Sequence, residues 1–171
     1  MKFTLFELED MSGIKAKLYS PMLHGDDVTL YERFILENKT LHLNEVSNID
    51  ERLEIVCKET GLFQESFDTK SGKFGENLCT LKDKPNRKLR LYFIEFGLST
   101  IVLGGGGFKP PSARSRQEVK KLDDENTLIG LISTTLQRAI VFKHLGVGSD
   151  GAFWSTTNYI YDTDNYGTTL K

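Results

Sequence analysis

The first part of the chain alternates between hydrophobic and polar positions in a way that predicts a β-hairpin. In the segment IKAKLYS, Ile14, Ala16 and Leu18 occupy every second position, which places them on one face of a strand. The segment KFTLFELE is a less regular partner strand, and Ser12 and Gly13 between the two are typical turn residues. We therefore expect two antiparallel strands at the start of the domain.

Two amphipathic helices are predicted next. Apolar residues recur at helical spacing from residue 28 to about residue 38, after the loop-like segment SPMLHGDD. In a second, shorter helix, Ser47 and Asp50 have the spacing of a capping box, and Gly61 supplies the stop. Each helix has one apolar face, so we expect both to pack on a sheet.

Four segments with strand character supply that sheet, at residues 63–67, 78–81, 87–96 and 99–103. In the longest of them, Leu89, Leu91 and Phe93 alternate with Arg90 and Tyr92, so the two sets face opposite sides of the sheet. The short GLS sequence before the last segment predicts an antiparallel hairpin.

Four consecutive glycines, residues 104–107, follow the last strand, and two structures suit them. They could form a nest of backbone N–H groups around a phosphate, or a flexible exit from an edge strand. The P-loop pattern GxxxxGK[ST] and the dinucleotide fingerprint are both absent, which disfavours a nucleotide-binding enzyme. Pro110 and Pro111 lack a backbone N–H and therefore disfavour both a helix and the hydrogen bonds of a β-sheet. The segment PPSARSRQ is interpreted as a polar connection.

A long helix and an aromatic tail complete the predicted elements. The helix extends from a cap at Asp123 or Asp124 to Gly146. Residues 147–171 are rich in Gly, Ser and Thr yet aromatic, and are interpreted as a tail that docks on its own domain or on a partner. The fold class is therefore α+β: a small antiparallel sheet with two helices packed on one face, an N-terminal hairpin and a long C-terminal helix. We expect one domain over residues 1–146.

The composition favours a soluble cytoplasmic protein without a bound cofactor. A chain of 171 residues, 39% of them hydrophobic, is long enough to bury a single core. No segment approaches the roughly 20 apolar residues that a membrane-spanning helix needs, so no membrane association is expected. Cys57 and Cys79 lack the spacing of a zinc or redox site and are interpreted as buried free thiols in a reducing compartment.

The net charge of −2 conceals an uneven distribution along the chain. Residues 1–67 carry 7 basic and 13 acidic side chains, residues 68–121 carry 12 and 5, and residues 122–171 carry 3 and 6. A basic middle segment suits contact with phosphates or with an acidic partner. The alternative is that the acidic flanks fold back and neutralise it.

The common catalytic signatures are missing from the sequence. His24, His42 and His144 lie in different elements without HxH or HExxH spacing, so no zinc site is predicted. There is no GxSxG motif, and Cys57 has no neighbour that would activate it. The basic residues of the middle segment are the remaining candidates for chemistry.

Cleavage of RNA by its own 2′-hydroxyl requires a base, an acid and cations around the phosphate, and Lys and Arg can serve in these roles. An inert, solvated basic face is the alternative interpretation. The basic residues in question are Lys73, Lys82, Lys84, Arg87, Lys88, Arg90, Lys109, Arg114 and Arg116.

The order of the predicted elements resembles a known family. Two helices are followed by a basic loop, by the strand LRLYFIEFG with its internal arginine, and by STIVLGGGGFKP. This order resembles the RelE/ParE-type toxins of toxin–antitoxin systems and the related phage-derived HigB proteins. The similar stretch covers residues 29–117, about half of the chain, within a RelE-like core of about residues 26–117. The resemblance implies ribosome-dependent cleavage of messenger RNA without a metal, and an acidic antitoxin protein as partner. The chain departs from the family in its length and its slightly acidic balance.

The resemblance also implies roles for individual residues. Arg90 falls on the strand arginine that would hold the scissile phosphate and stabilise the developing charge. Lys109 falls on the cation that follows the last strand, which would act as an acid or as an electrostatic stabiliser. Lys82 or Lys84 would act as the base. RNA-binding roles are implied for Lys73, Arg87, Lys88, Tyr92, Arg114 and Arg116, with Tyr92 stacking on a base.

A second functional class is consistent with the same residues. The chain could be a non-catalytic interaction protein of mobile-element origin, in which the basic face and the aromatic tail bind protein or nucleic acid. Growth arrest on expression, relieved by Arg90→Ala, would favour the toxin.

Overall fold

The computed structural model describes residues 1–62, 69–70, 77–155 and 160–164. Its strands and helices are β1 (Lys2–Glu7), β2 (Lys17–Leu23), α1 (Leu30–Asn38), α2 (Leu43–Ile55), β3 (Thr69–Lys70), β4 (Leu78–Lys82), β5 (Leu89–Phe96), β6 (Thr100–Phe108), α3 (Lys120–Val141), β7 (Leu145–Val147), β8 (Phe153–Ser155) and β9 (Ile160–Asp162). The predicted strand at 63–67 and Lys73 lie outside the described residues.

Seven of these strands form one sheet in the order β3-β4-β5-β6-β2-β1-β9, and β7 and β8 form a separate hairpin. The predicted α+β class is confirmed, and so is the N-terminal hairpin, in which β1 pairs antiparallel with β2. The sheet is larger than predicted. It is also mixed rather than purely antiparallel, because β2 pairs in parallel with β6. Sequence periodicity shows which residues face one way, but it does not show which strands pair.

The two faces of the sheet are covered by different helices. Leu89, Leu91 and Phe93 of β5 pack in one core cluster with α1 and α2, as the alternating pattern predicts. Ile94 and Phe96 belong to a second cluster with the apolar side of α3. The predicted pair of helices on one face is therefore present, and the long helix covers the opposite face.

Helix starts are the least accurate part of the prediction. A capping box does occur, but at α1: the Thr29 N–H donates to Glu32 Oε2 at 2.7 Å, and the Glu32 N–H donates to Thr29 Oγ1 at 3.2 Å. The predicted box at Ser47 and Asp50 is wrong, because α2 already begins at Leu43 and both residues lie inside it.

The limits of α3 also differ from the prediction. The helix begins at Lys120, before the predicted caps, and ends at Val141. Lys143 then has a φ of 60°, which ends the helix before Gly146, and Gly146 lies in β7. The predicted stop at Gly61 is confirmed, since Gly61 has a φ of 77° and follows a short π-helical turn that extends α2.

The glycine run is not an exit from an edge strand. All four glycines lie within β6 and are buried, and this stretch pairs with β5, whereas β2 pairs with β6 only at Thr100–Val102. Leu91 pairs with Gly106 and Phe93 with Leu103, so the one residue between them on β5, Tyr92, faces two on β6, Gly104 and Gly105. The glycines thus accompany a β-bulge in an interior strand, where a missing side chain often marks close approach of another element.

The element that approaches the glycines is α3. A Cβ atom at Gly104 would stand 2.9 Å from Ile129 Cδ1, and one at Gly105 would stand 2.2 Å from Glu125 Oε2. Ile129 and Glu125 are four residues apart and so share one side of the helix. The glycines allow α3 to lie directly against β6.

This close approach places the Glu125 carboxylate of α3 between two basic side chains. Glu125 is 5% exposed and accepts a hydrogen bond from Arg33 Nη2 of α1 at 3.1 Å. Lys121 Nζ donates to the same carboxylate at 2.7 Å and lies 2.8 Å from Glu37 of α1. These ion pairs join α1 to α3.

The last strand that the structure describes, β9, belongs to the same sheet. Strand β9 pairs antiparallel with β1, and the Met1 amino group lies 2.8 Å from Asp164 Oδ2. The predicted domain boundary at residue 146 falls inside β7, and β7 pairs with β8. Trp154 of β8 covers Gly146, where a Cβ would meet the indole at 2.1 Å. Tyr159, one of the aromatic residues of the predicted tail, lies outside the described residues.

We expect Gly106→Ala to lower the free energy of unfolding by about 3 kcal/mol, at the upper end of the cost of overpacking a core. A Cβ at Gly106 would stand 1.8 Å from the backbone oxygen of Arg90, and a ladder carbonyl cannot move aside. Gly107→Ala is the matched control, because its nearest neighbour is Lys121 Cγ at 3.5 Å, and it should cost less than about 1 kcal/mol. Urea denaturation of both variants measures the difference, and equal stabilities would contradict the close packing of β6.

Candidate functional site

Two basic loops emerge at one end of the main sheet. Strand β4 ends at Lys82, β5 begins at Leu89 and β6 ends at Phe108, and these termini are adjacent in the ladder. The Lys109 N–H donates to the Lys88 carbonyl at 2.8 Å, which joins the two loops. We call this region the basic end, comprising residues 82–90 and 109–114. It brings together seven of the predicted site residues: Lys82, Lys84, Arg87, Lys88, Arg90, Lys109 and Arg114.

Hydrogen bonds to side chains shape the loop between β4 and β5. Asp83 is buried, and its Oδ1 accepts from the Leu89 N–H at 2.6 Å. The Lys84 N–H donates to Asn48 Oδ1 of α2 at 2.8 Å. Arg87 has a φ of 56°, which turns the chain back into β5. The exposed side chains of Lys84 and Arg87 are therefore carried by a loop that is fixed to α2 and to β5.

Lys82 and Arg90 are directly opposite one another in the ladder between β4 and β5. Opposed residues in an antiparallel pair share one face, and their Cβ atoms lie about 4.5–5.5 Å apart. Both side chains are half-buried. Arg90 Nη1 donates to the carbonyls of Arg87 at 2.7 Å and Leu89 at 3.2 Å, so the guanidinium lies against the backbone of its own strand.

The three basic side chains that follow β6 point in different directions. Lys109 Nζ donates to the Ala113 carbonyl and so closes a small loop. Arg114 is exposed, and its N–H donates to Glu118 Oε2 at 3.1 Å. Arg116 lies 3.8 Å from Asp123 and lines a cavity of about 300 Å³ along α3, so its side chain points away from the basic end.

Tyr92 is a core residue. Its side chain is 2% exposed and belongs to the cluster beneath α3, and burial raises its pKa to about 12. The alternating pattern placed it correctly on the face of Arg90, but the sequence did not show that α3 covers this face. Stacking of Tyr92 on an RNA base stays a prediction, and it would require α3 to move.

The acidic flanks neutralise part of the basic segment. Lys88 Nζ lies 2.7 Å from Glu45 Oε1 of α2, and the hydrogen bond from Lys88 lowers the pKa of the buried Glu45 carboxyl. Lys120 pairs with Asp124 four residues on, and Lys121 pairs with the two glutamates described above. Both interpretations of the charge pattern are therefore partly correct, because acidic residues pair with Lys88, Lys120 and Lys121, while Lys84 and Arg114 are exposed at the basic end.

Other candidate chemistry is weak in the described part of the chain. His42 stacks on Phe108, with ring centroids 4.9 Å apart. Both cysteines are buried free thiols, and burial raises the pKa of Cys57 to about 12, which disfavours a thiolate nucleophile. The described residues contain no cluster of three or more His, Cys, Asp or Glu that could hold a metal ion.

Asp83 and Asn48 organise the basic end, and sequence reasoning missed both. The segment LKDKPNRK has the composition of a turn, which could have marked Asp83 as a residue that bonds its own backbone. Asn48 has no such signal, because its contact is with a residue 36 positions away.

Comparison with known proteins finds no matching family model, no matching curated protein and no matching solved structure. The resemblance to RelE/ParE-type toxins therefore stays a hypothesis. Among the described residues, no helix is both long enough and apolar enough to cross a membrane.

The pair formed by Glu45 and Lys88 should make stability depend on pH in the acidic range. The folded pKa of Glu45 is lowered, so its contribution is fully present above the unfolded value of about 4.3 and is lost as the pH falls through the folded value. We expect Glu45→Gln to be less stable than the wild type at neutral pH and equally stable at low pH, where the Glu45 carboxyl of the wild type is protonated and uncharged.

Urea denaturation at several pH values measures this convergence. Glu51→Gln, an exposed glutamate on the same helix, serves as the control and should show no such convergence. A difference between Glu45→Gln and wild type that persists at the lowest pH would mean that the side chain acts through packing instead of charge.

Proposed function

We propose that this protein binds RNA, and that the basic end contacts the phosphate backbone. The observation that carries the proposal is the convergence of two basic loops at one end of the sheet, where Lys84, Arg87 and Arg114 are exposed. Contacts to phosphates are the usual role of such side chains and do not depend on base sequence.

The held geometry of these loops also supports binding. Binding costs conformational entropy, because lysine and arginine side chains lose rotational freedom when they contact a ligand. A loop whose backbone is already fixed does not add a backbone entropy cost to this. The β4–β5 loop is fixed by the bonds from Leu89 to Asp83 and from Lys84 to Asn48. A flexible basic tail would lack this advantage.

RNA, rather than another polyanion, is the class implied by the resemblance to RelE-type toxins. An acidic antitoxin protein would bind the same basic end and would compete with RNA for it. Because both ligands are anionic, charge alone does not separate them, and the experiment below uses nucleic acid directly.

Binding is measured with a fluorescein-labelled, single-stranded RNA of about 20 nucleotides, by anisotropy between roughly 50 and 200 mM salt. We expect Lys84→Ala/Arg114→Ala to weaken binding and to reduce the slope of log K against log salt by about 0.7 for each phosphate that the variant no longer neutralises. Both side chains are exposed, so the fold should be retained.

Lys15→Ala/Lys39→Ala is the matched control, since it removes the same charge from exposed positions outside the basic end. An equal loss of affinity in both variants would show that only the overall charge matters, and absence of RNA binding at low salt would refute the proposal. A DNA strand of the same sequence tests the class of nucleic acid, and tighter binding to DNA would contradict the assignment to RNA.

Cleavage of the bound RNA is a second candidate function, and the opposition of Lys82 and Arg90 favours it. Two cations that share one face can contact the same phosphodiester. In such a reaction a base removes the 2′-hydroxyl proton, the 2′-oxygen attacks phosphorus, and the leaving 5′-oxygen takes a proton. The products are a 2′,3′-cyclic phosphate and a 5′-hydroxyl.

We expect Lys82→Met to reduce cleavage of messenger RNA on ribosomes by about 100-fold or more, because the variant lacks a side chain that would act as the base or would stabilise the charge of the transition state. The long apolar stem of methionine keeps the packing of the half-buried position. Retained RNA binding, measured as above, separates loss of chemistry from loss of affinity.

Arg90→Lys tests the partner cation while keeping a positive charge. Growth arrest on expression of the wild type, relieved in both variants, would support the toxin. RNA binding without any cleavage by the wild type would leave the non-catalytic interaction protein as the function.

A further inference from the structure

A cavity of about 510 Å³ opens between the end of β1 and helix α1. Its volume falls within the range of about 300–1,000 Å³ that is typical of ligand sites. The hydrophobic part of its lining comprises Leu8, Met11, Val28, Tyr31, Ile35 and Leu36. Leu36 is 51% exposed, so part of this apolar surface faces solvent.

The charged part of the lining has one sign. Glu7, Glu9, Asp10 and Glu32 line the cavity, and among the residues that the structure describes no lysine, arginine or histidine does. Glu32 already accepts the bonds of the α1 cap, and Glu7 lies 3.9 Å from Lys17 Nζ. Glu9 and Asp10 are exposed at the rim.

The walls of the cavity are held in place by hydrogen bonds. The chain after β1 folds back on itself, because the N–H groups of Met11 and Ser12 both donate to the Leu8 carbonyl. Ser12 Oγ accepts from the Leu18 N–H at 2.9 Å, which fixes this turn to β2. On the other wall, the hydroxyl of Tyr31 donates to Asp50 of α2. The cavity is therefore largely preformed.

We propose that this cavity is the docking site of a basic amphipathic peptide segment of another protein, with an apolar side chain in the cavity and lysine or arginine at the acidic rim. Charge complementarity decides the choice of partner, because an apolar floor whose described charged residues are all acidic attracts cations and repels anions. An acidic or nucleic-acid ligand would be repelled from it.

A second copy of the chain is a poor fit for this role. The most basic segment among the described residues, KDKPNRK at residues 82–88, carries no large apolar side chain to enter the cavity. The site is also independent of RNA binding. Glu7 pairs with Tyr19, and Tyr19 pairs with Val102 near the start of β6, whereas the basic end lies beyond the far end of that strand.

The test uses a peptide of about 14 lysine and leucine residues arranged with one apolar helical face, and a second peptide in which glutamate replaces every lysine. Titration calorimetry should detect binding of the lysine peptide to the full chain and none of the glutamate peptide. We expect Glu9→Gln/Asp10→Asn to weaken binding at least about threefold, and Leu36→Ser to weaken it because less apolar surface is buried in the complex.

Glu51→Gln/Glu59→Gln removes the same charge from exposed positions that do not line the cavity, and it should leave the affinity unchanged. Circular dichroism establishes that each variant is folded. The proposal is overturned if the glutamate peptide binds as tightly, if both charge variants weaken binding equally, or if neither cavity variant changes it. Sedimentation that reveals a dimer, dissociated by Glu9→Gln/Asp10→Asn, would also overturn it in favour of a second copy.

Discussion

The fold depends on the close contact between β6 and α3. Without side chains at Gly104 and Gly105, the helix can lie near enough to the strand for the Glu125 carboxylate to occupy the space above Gly105. That carboxylate is buried and would be costly to leave unpaired, but Arg33 and Lys121 both donate to it. The ion pairs therefore depend on the glycines, and they fix α3 relative to α1.

A sheet covered on both faces leaves its strand ends and loops as the accessible places for function. The central part of β5 shows this, since both Phe93 and Ile94 are fully buried although they face opposite sides. Lys82 and Arg90 lie next to the end of the sheet, where the helical cover is incomplete and both are half-buried. The same scaffold that buries Tyr92 thus leaves these two cations accessible.

Local patterns predicted the parts of the fold that local physics determines. The alternation in β5 and the apolar faces of α1 and α2 are visible in the sequence and are correct in the structure. The close packing of the glycine run was missed because Glu125, which contacts it, comes 20 residues later in the chain, and the pairing of β2 with the start of β6 spans some 80 residues. The neutralisation of Lys88 by Glu45, which are 43 residues apart, was hidden for the same reason. The basic end was predictable as a set of residues, but the partners that fix it were not.

The molecule separates its charges in space as well as in sequence. Glu7 lines the acidic cavity and is the last residue of β1, at one end of the sheet. The basic end lies at the opposite end of the sheet, beyond the last residue of β6. Exposed charges are screened over about 8–10 Å at physiological salt, so the charges of one end contribute little to the field at the other. A net charge of −2 therefore does not argue against the proposed binding of a polyanion at the basic end. A polyanion would be repelled at the acidic end and attracted at the basic end, so this charge separation would select the orientation of the proposed complex.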